Sequence, residues 1–177
     1  MLKRLYTIGH STRTLDELVS LLRAHEVRRL ADIRRYPGSR RHPHFSGDAL
    51  AVSLPEHGID YIHAEALGGR RTPSPNSPNG AWENEQFRGY ADHMTTPAFQ
   101  RALDALLDSE LATAVMCAEA VPWRCHRNLL ADDLVRRNVE VLHIVGSDSL
   151  KRHELNPMAR IDGDRITYPP PQAKMFV

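Results

Sequence analysis

Thr113-Ala114-Val115-Met116-Cys117-Ala118-Glu119-Ala120-Val121-Pro122-Trp123-Arg124-Cys125-His126-Arg127-Asn128-Leu129-Leu130-Ala131-Asp132-Asp133-Leu134-Val135 is the stretch that decides the fold. An apolar run breaks at an acid and a proline, and apolar residues then return at helical spacing. It reads as strand, loop, helix. That reading puts Cys117 and Glu119 at the carboxyl end of a strand and Cys125, His126 and Arg127 at the first turn of a helix. In an open α/β sheet ligands bind at that edge, and a helix N-terminus favours anions.

Working outward, the same alternation repeats. Leu5–Ile8 is a β-type run that stops at Gly9-His10-Ser11. Thr14 with Glu17 three residues on predicts a capped helix carrying Leu15, Leu18, Val19 and Leu22. Val27–Ile33 reads as a second strand, Phe45–His57 as a weaker helix stopped by Gly58, and Ile59–Ile62 as a third strand. Leu67-Gly68-Gly69-Arg70-Arg71 leads into Thr72–Gly80, a Pro/Ser/Asn/Gly stretch without periodicity, long enough for an active-site lid. Phe87–Met94 and Pro97–Leu107 are helical, the second opened by Thr96 and Pro97. Val139–Ile144 is the fifth strand. A hairpin is expected around Asp162-Gly163, followed by a tail over 169–177.

Strands alternating with helices predict a single three-layer α/β/α domain over residues 1–177, with a mostly parallel, Rossmann-like sheet of about five strands. Right-handed crossovers would bring Gly9-His10-Ser11, Asp32-Ile33-Arg34, Leu67-Gly68-Gly69 and Cys117-Ala118-Glu119 to one edge.

Composition narrows the classes. With 177 residues, 41% hydrophobic and 25% charged, the chain can build one proper core. A net charge of +1 gives no global pull toward nucleic acid or membrane. Locally, however, Arg28, Arg29, Arg34, Arg35, Arg40 and Arg41 face the single acid Asp32. Two cysteines, and no apolar run of membrane length, point away from a secreted disulfide scaffold and toward a cytoplasmic protein.

The candidate chemistry follows from residue type. Cys117 is either a nucleophile, if a cation or helix end lowers its pKa, or a small apolar residue ending a buried strand. Glu119 suits a general base, a ribose anchor or a partner of Arg127. Arg34 and Arg127 offer forks for phosphate or carboxylate, with ion pairs to Asp32 or Glu119 as the structural alternative. His10 is the candidate acid. Ser11, Asp32, Tyr61, Gly68, Gly69 and His126 complete the expected substrate site. His10, Cys117, Cys125 and His126 are metal-ligand types, but no metal-binding spacing joins them. No cofactor is indicated.

Several of these stretches together resemble the bacterial and archaeal family catalogued as domain of unknown function 488. The resemblance rests on Thr7-Ile8-Gly9-His10-Ser11, Asp32-Ile33-Arg34 with Pro37 and Ser39-Arg40, and Pro43 with Phe45. It continues through Tyr61, Leu67-Gly68-Gly69-Arg70, Trp82 and Phe87-Arg88-Gly89-Tyr90-Ala91 to Cys117-Ala118-Glu119 and Cys125-His126-Arg127, and reaches about His153. It implies an α/β domain whose loops share one site, and it carries no substrate.

The expected function is therefore an enzyme, a hydrolase or group transferase, acting on a small anionic or nucleotide-like substrate. One alternative is a nucleic-acid-binding module using Arg34, Arg35, Arg40 and Arg41 in the 28–41 loop. The other is a redox or metal-sensing domain built on Cys117 and Cys125.

Overall fold

A computed structural model describes residues 2–172; residues 173–177 of the expected tail lie outside the described residues. Eight strands and five α-helices follow one another as β1 (Arg4–Gly9), α1 (Leu15–Ala24), β2 (Arg29–Asp32), α2 (Gly47–Glu56), β3 (Asp60–His63), α3 (Glu85–Met94), α4 (Pro97–Leu107), β4 (Thr113–Cys117), α5 (Arg127–Arg136), β5 (Glu140–Gly146), β6 (Ser149–Arg152), β7 (Arg160–Asp162) and β8 (Arg165–Thr167). The main sheet has the order β3-β2-β4-β1-β5-β6. Its first five strands are parallel, and β6 pairs antiparallel with β5. The sheet thus has six strands where five were expected. The sixth, Ser-Leu-Lys-Arg, is exposed throughout and carries no buried alternation to betray it.

Local chemistry explains the elements. Thr14 caps α1 through its hydroxyl, and the Glu17 carboxylate returns to the Thr14 amide, closing the capping box. Thr96 caps α4 in the same position relative to Phe99. Gly58, at φ +73°, supplies the left-handed turn after α2. Strand β4 is buried along its whole length, as a central parallel strand must be. Its alternation sends Ala114 and Met116 into one core with Ile8, Leu18, Leu22 and Leu50, and Val115 and Cys117 into the other with Tyr90, Phe99 and Leu130. Helices α1 and α2 therefore cover one face and α3, α4 and α5 the other. This is the three-layer α/β/α arrangement.

Connectivity sets the site. The chain leaves β1 toward α1 on one face and leaves the adjacent β4 toward α5 on the other. The carboxyl ends of β1 and β4 are thus the topological switch point, where such sheets open a crevice. The β7–β8 hairpin forms as expected and adds Ile166 to the α3–α5 face, with Tyr168 just beyond it. A buried polar chain secures that region. The Tyr168 hydroxyl donates to Asp132 (2.6 Å), His153 Nε2 donates to the same carboxylate (2.8 Å), and His153 Nδ1 lies 3.0 Å from His143 Nε2.

The Thr72–Gly80 stretch, long enough for a lid, is tied against α3 and lies off the main cavity. Asp92 of α3 accepts from the Ser74 amide, the Ser77 hydroxyl and the Asn79 side chain, and Asn79 Oδ1 in turn accepts from the Tyr168 amide. Asn79 is fully buried, and no residue of the stretch lines the main cavity. Ser and Asn here tie a connector down.

Candidate functional site

At the switch point the two loops continue the parallel ladder beyond the strands. Gly9 is the register partner of Cys117, the His10 amide donates to Cys117 O (3.0 Å), and the Ser11 amide to Ala118 O (3.0 Å). This close approach requires Gly9, because a Cβ there would lie 1.7 Å from the Glu119 carbonyl oxygen. Gly68 serves the neighbouring loop alike, since its Cβ would sit 2.7 Å from the Arg35 backbone.

Around this point lies a cavity of about 770 Å³. It is lined by three of the expected loops with a single glycine, Gly69, from the fourth. His10, Ser11, Arg34, Cys117, Glu119, Cys125 and His126 all line it, as do Arg35, Arg40 and Arg41 of the basic loop. Tyr36 and Ser39 of the basic loop also face it, while the expected site left out His42, Arg70, Gln86 and Phe87, which face it too. Phe87 and Arg70 stood within the family motifs, and that was the available signal. Ser11 and Arg70 both hold left-handed backbone (φ 50° and 57°), a conformation that recurs at ligand sites.

Four expected site residues stand behind the wall. Asp32, Tyr61, Gly68 and Arg127 do not line the cavity. Asp32, fully buried, accepts from Arg34 Nε (2.8 Å), Arg34 Nη2 (2.6 Å), the Arg34 amide (3.1 Å) and the Tyr61 hydroxyl (2.8 Å). Burial, then the Asp32 charge, pushes the Tyr61 phenol up, so it remains a donor. Arg34 is consequently not a free fork: Asp32 and the Phe45 carbonyl (2.7 Å) occupy two of its nitrogens, leaving Nη1 toward His10. Arg127, buried in the α5 first turn, donates Nη2 to the carbonyls of Glu119 (3.0 Å) and Ala120 (2.9 Å). It clamps the loop from below and does not reach an anion in the cavity. The acid it was paired with on paper, the Glu119 carboxylate, is exposed and makes no ion pair among the described residues.

Burial holds His10, His126 and His143 in the neutral form. His10 Nδ1 donates to the Ser11 carbonyl (2.9 Å), which leaves Nε2 bare, 3.4 Å from Arg34 Nη1. Burial, aided by the Arg34 charge, lowers its pKa to about 4. At neutral pH His10 is therefore unprotonated at Nε2 and presents a hydrogen-bond acceptor there. His126 Nε2 donates to the Ile33 carbonyl (3.0 Å), and burial followed by the Arg127 and Arg71 charges brings its pKa to about 4. His143 is lowered to about 3 by burial, then by His153 and Arg127. These values lie below the ordinary 6.5. As pH falls from there, the unfolded chain takes up protons that the folded chain does not, so stability drops with falling pH. Thermal unfolding should accordingly shift down between pH 6.5 and roughly pH 5, ahead of most carboxylate titration. An unfolding temperature constant across that window would contradict neutral buried imidazoles.

The cavity's electrostatics are one-sided. Arg34, Arg35, Arg40, Arg41, Arg70 and Arg124 line it against one carboxylate, Glu119. Among the described residues only Arg34 of these is in an ion pair. Arg35 and Arg70 flank the exposed Tyr36 ring with guanidinium carbons 5.3 and 5.8 Å from its centroid. Arg28 and Arg29 of the same basic run lie away from the cavity, Arg29 being paired with Asp60 (2.6 Å). Among the described residues no group of three His, Cys, Asp or Glu is placed to hold a metal, and no helix is long and apolar enough to cross a membrane.

The family model described as domain of unknown function DUF488 matches residues 14–134, more than half of the chain. The chain belongs to that family. The match takes in the Asp32-Ile33-Arg34, Leu67-Gly68-Gly69-Arg70, Cys117-Ala118-Glu119 and Cys125-His126-Arg127 stretches, so most of the cavity is built from family sequence. Gly9-His10-Ser11, of which His10 and Ser11 line the cavity, precedes the matched span. No curated protein and no solved structure matches the chain.

Proposed function

We propose that this DUF488 chain is an enzyme that binds a phosphate-bearing, nucleotide-like substrate at the β1–β4 switch point and catalyses its hydrolysis or the transfer of a group from it. One observation carries the reading: five arginines without a carboxylate partner among the described residues surround a cavity lined by a single acid. Like charges gathered in a recess repel one another, and a polyanion relieves that repulsion through charge-assisted, bidentate hydrogen bonds. A substrate of about nucleotide size suits the volume. Tyr36 offers an exposed ring for a base to stack on, with arginines already beside it.

Within this reading Glu119 is the general base, being the cavity's one free carboxylate. His10 Nε2 accepts a hydrogen bond from the substrate or from water, and Arg34 Nη1 helps hold that geometry. Glu119→Gln should lower turnover by about 10²–10⁴-fold and move the unfolding temperature by no more than about 2 °C, as for other exposed substitutions. Phosphate release from mononucleotides and sugar phosphates is the readout. Equal turnover by variant and wild type removes Glu119 from the mechanism.

A further inference from the structure

The floor of the cavity holds the chain's two cysteines, and the mechanism above uses neither. Cys117 ends β4, and Cys125 immediately precedes the His126 cap of α5, so the switch point brings both to one place. Both thiols are free, both are buried in the same core cluster and both line the cavity, with Cys117 Sγ donating to the Glu119 carbonyl (3.7 Å). Cys125 Sγ lies 3.4 Å from His126 Nδ1. That nitrogen is unprotonated, because Nε2 carries the proton given to Ile33 O. The two sulfurs are chemically unequal. Burial raises the Cys117 pKa, but the neighbouring Cys125 thiol, the Arg127 cation and the Glu119 backbone outweigh it, and the net shift is downward. Burial and the Cys117 contact push Cys125 up. An attacking thiol of lowered pKa beside a resolving thiol of raised pKa is the arrangement that thiol–disulfide exchange needs.

We propose that Cys117 and Cys125 form a redox-active dithiol that reduces small anionic disulfides admitted through the arginine rim. The Cys117 thiolate attacks one sulfur of the substrate disulfide. The substrate S–S bond breaks, a mixed disulfide forms on Cys117, and the departing thiolate takes a proton from water. Cys125 then gives up its proton by way of His126 Nδ1 to water and attacks Cys117 sulfur. The second substrate thiol leaves, and the Cys117–Cys125 disulfide closes. One dithiol and one disulfide thus become one protein disulfide and two thiols, and an added dithiol reductant restores the starting state. The proposal takes from the functional reading only that the rim attracts anions.

The test incubates wild type, Cys117→Ser and Cys125→Ser with oxidised glutathione, an anionic disulfide, and in parallel with neutral 2-hydroxyethyl disulfide. Alkylatable thiols and intact mass are followed. Wild type should lose both thiols without retaining an adduct. Cys125→Ser should keep a glutathione adduct on Cys117, and Cys117→Ser should react far more slowly. If Cys117→Ser does not fold, mapping the first site alkylated in wild type replaces it, with Cys117 expected first. Wild-type thiols that both stay free in either disulfide, or an adduct confined to Cys125, would overturn the proposal. Glutathione should react faster than the neutral disulfide by about tenfold or more. Equal rates with dithiol closure would leave the dithiol standing and count against the anion pocket itself.

Discussion

Asp32→Ala will destabilise the protein by about 3–5 kcal/mol, because it strips a buried cation of its partner. Asp32 has no exposed side-chain surface and the Arg34 side chain only 9%. The carboxylate takes both Nε and Nη2 of Arg34 and the Tyr61 hydroxyl. Without it the guanidinium is left with the Phe45 carbonyl and the His10 imidazole but no counter-charge, and the phenol loses its acceptor, each a desolvation cost without compensation. For a chain of this size the unfolding temperature should fall by about 10 °C. Arg34 would also lose the orientation that aims Nη1 at His10, so ligand binding should weaken together with stability. Thermal unfolding measures the first effect directly. A shift of only a degree or two would mean that water reaches Arg34 and that the buried network is not what holds the β2 loop.

Gly9→Ala is the second large effect. The added methyl would lie 1.7 Å from the Glu119 carbonyl oxygen and 2.5 Å from its carbon. Both are backbone atoms in a loop that Arg127 holds through that same carbonyl. No flexible side chain is available to yield, so the β1 and β4 ends must separate. We expect a cost of about 3 kcal/mol, at the upper end for overpacking. The register contacts His10 N–Cys117 O and Ser11 N–Ala118 O should loosen as well, moving His10 relative to Glu119. Hydrogen exchange at His10 and Ser11 would report it. Protection as strong as in the wild type would show that the loop accommodates the methyl group elsewhere.

The sheet was legible in the sequence where burial imposes a pattern. The apolar β4 run, the Thr14–Glu17 box and the Thr96-Pro97 start each have a local cause, and each element forms where that cause puts it. Strand β6 was not legible, since an exposed edge strand needs only a neighbour's unpaired backbone. The position of the cavity followed from topology, and four loops at one edge required no side-chain geometry to foresee. The division of labour among its arginines could not be read that way. Arg127 is buried at the start of α5 and turns to loop carbonyls, while Arg34 turns back two residues onto Asp32. Which way a guanidinium turns depends on acceptors brought close only by folding. Likewise, His10 as an acid was plausible from residue type, and burial makes it an acceptor.

The central claim is that the arginine-lined cavity takes a phosphate-bearing small molecule. Its most direct test is the unfolding temperature of wild type and of an Arg40→Ala, Arg41→Ala double variant across a ligand panel. The panel comprises phosphate, sugar phosphates, mononucleotides, dinucleotides and short single-stranded DNA, each at two salt concentrations. A ligand present at 100 times its dissociation constant adds about 2.7 kcal/mol, or roughly 5–10 °C here. The account predicts such a rise with a mononucleotide and its loss in the double variant. A rise with DNA alone that vanishes at high salt, or no rise with any phosphate-bearing molecule, would contradict it.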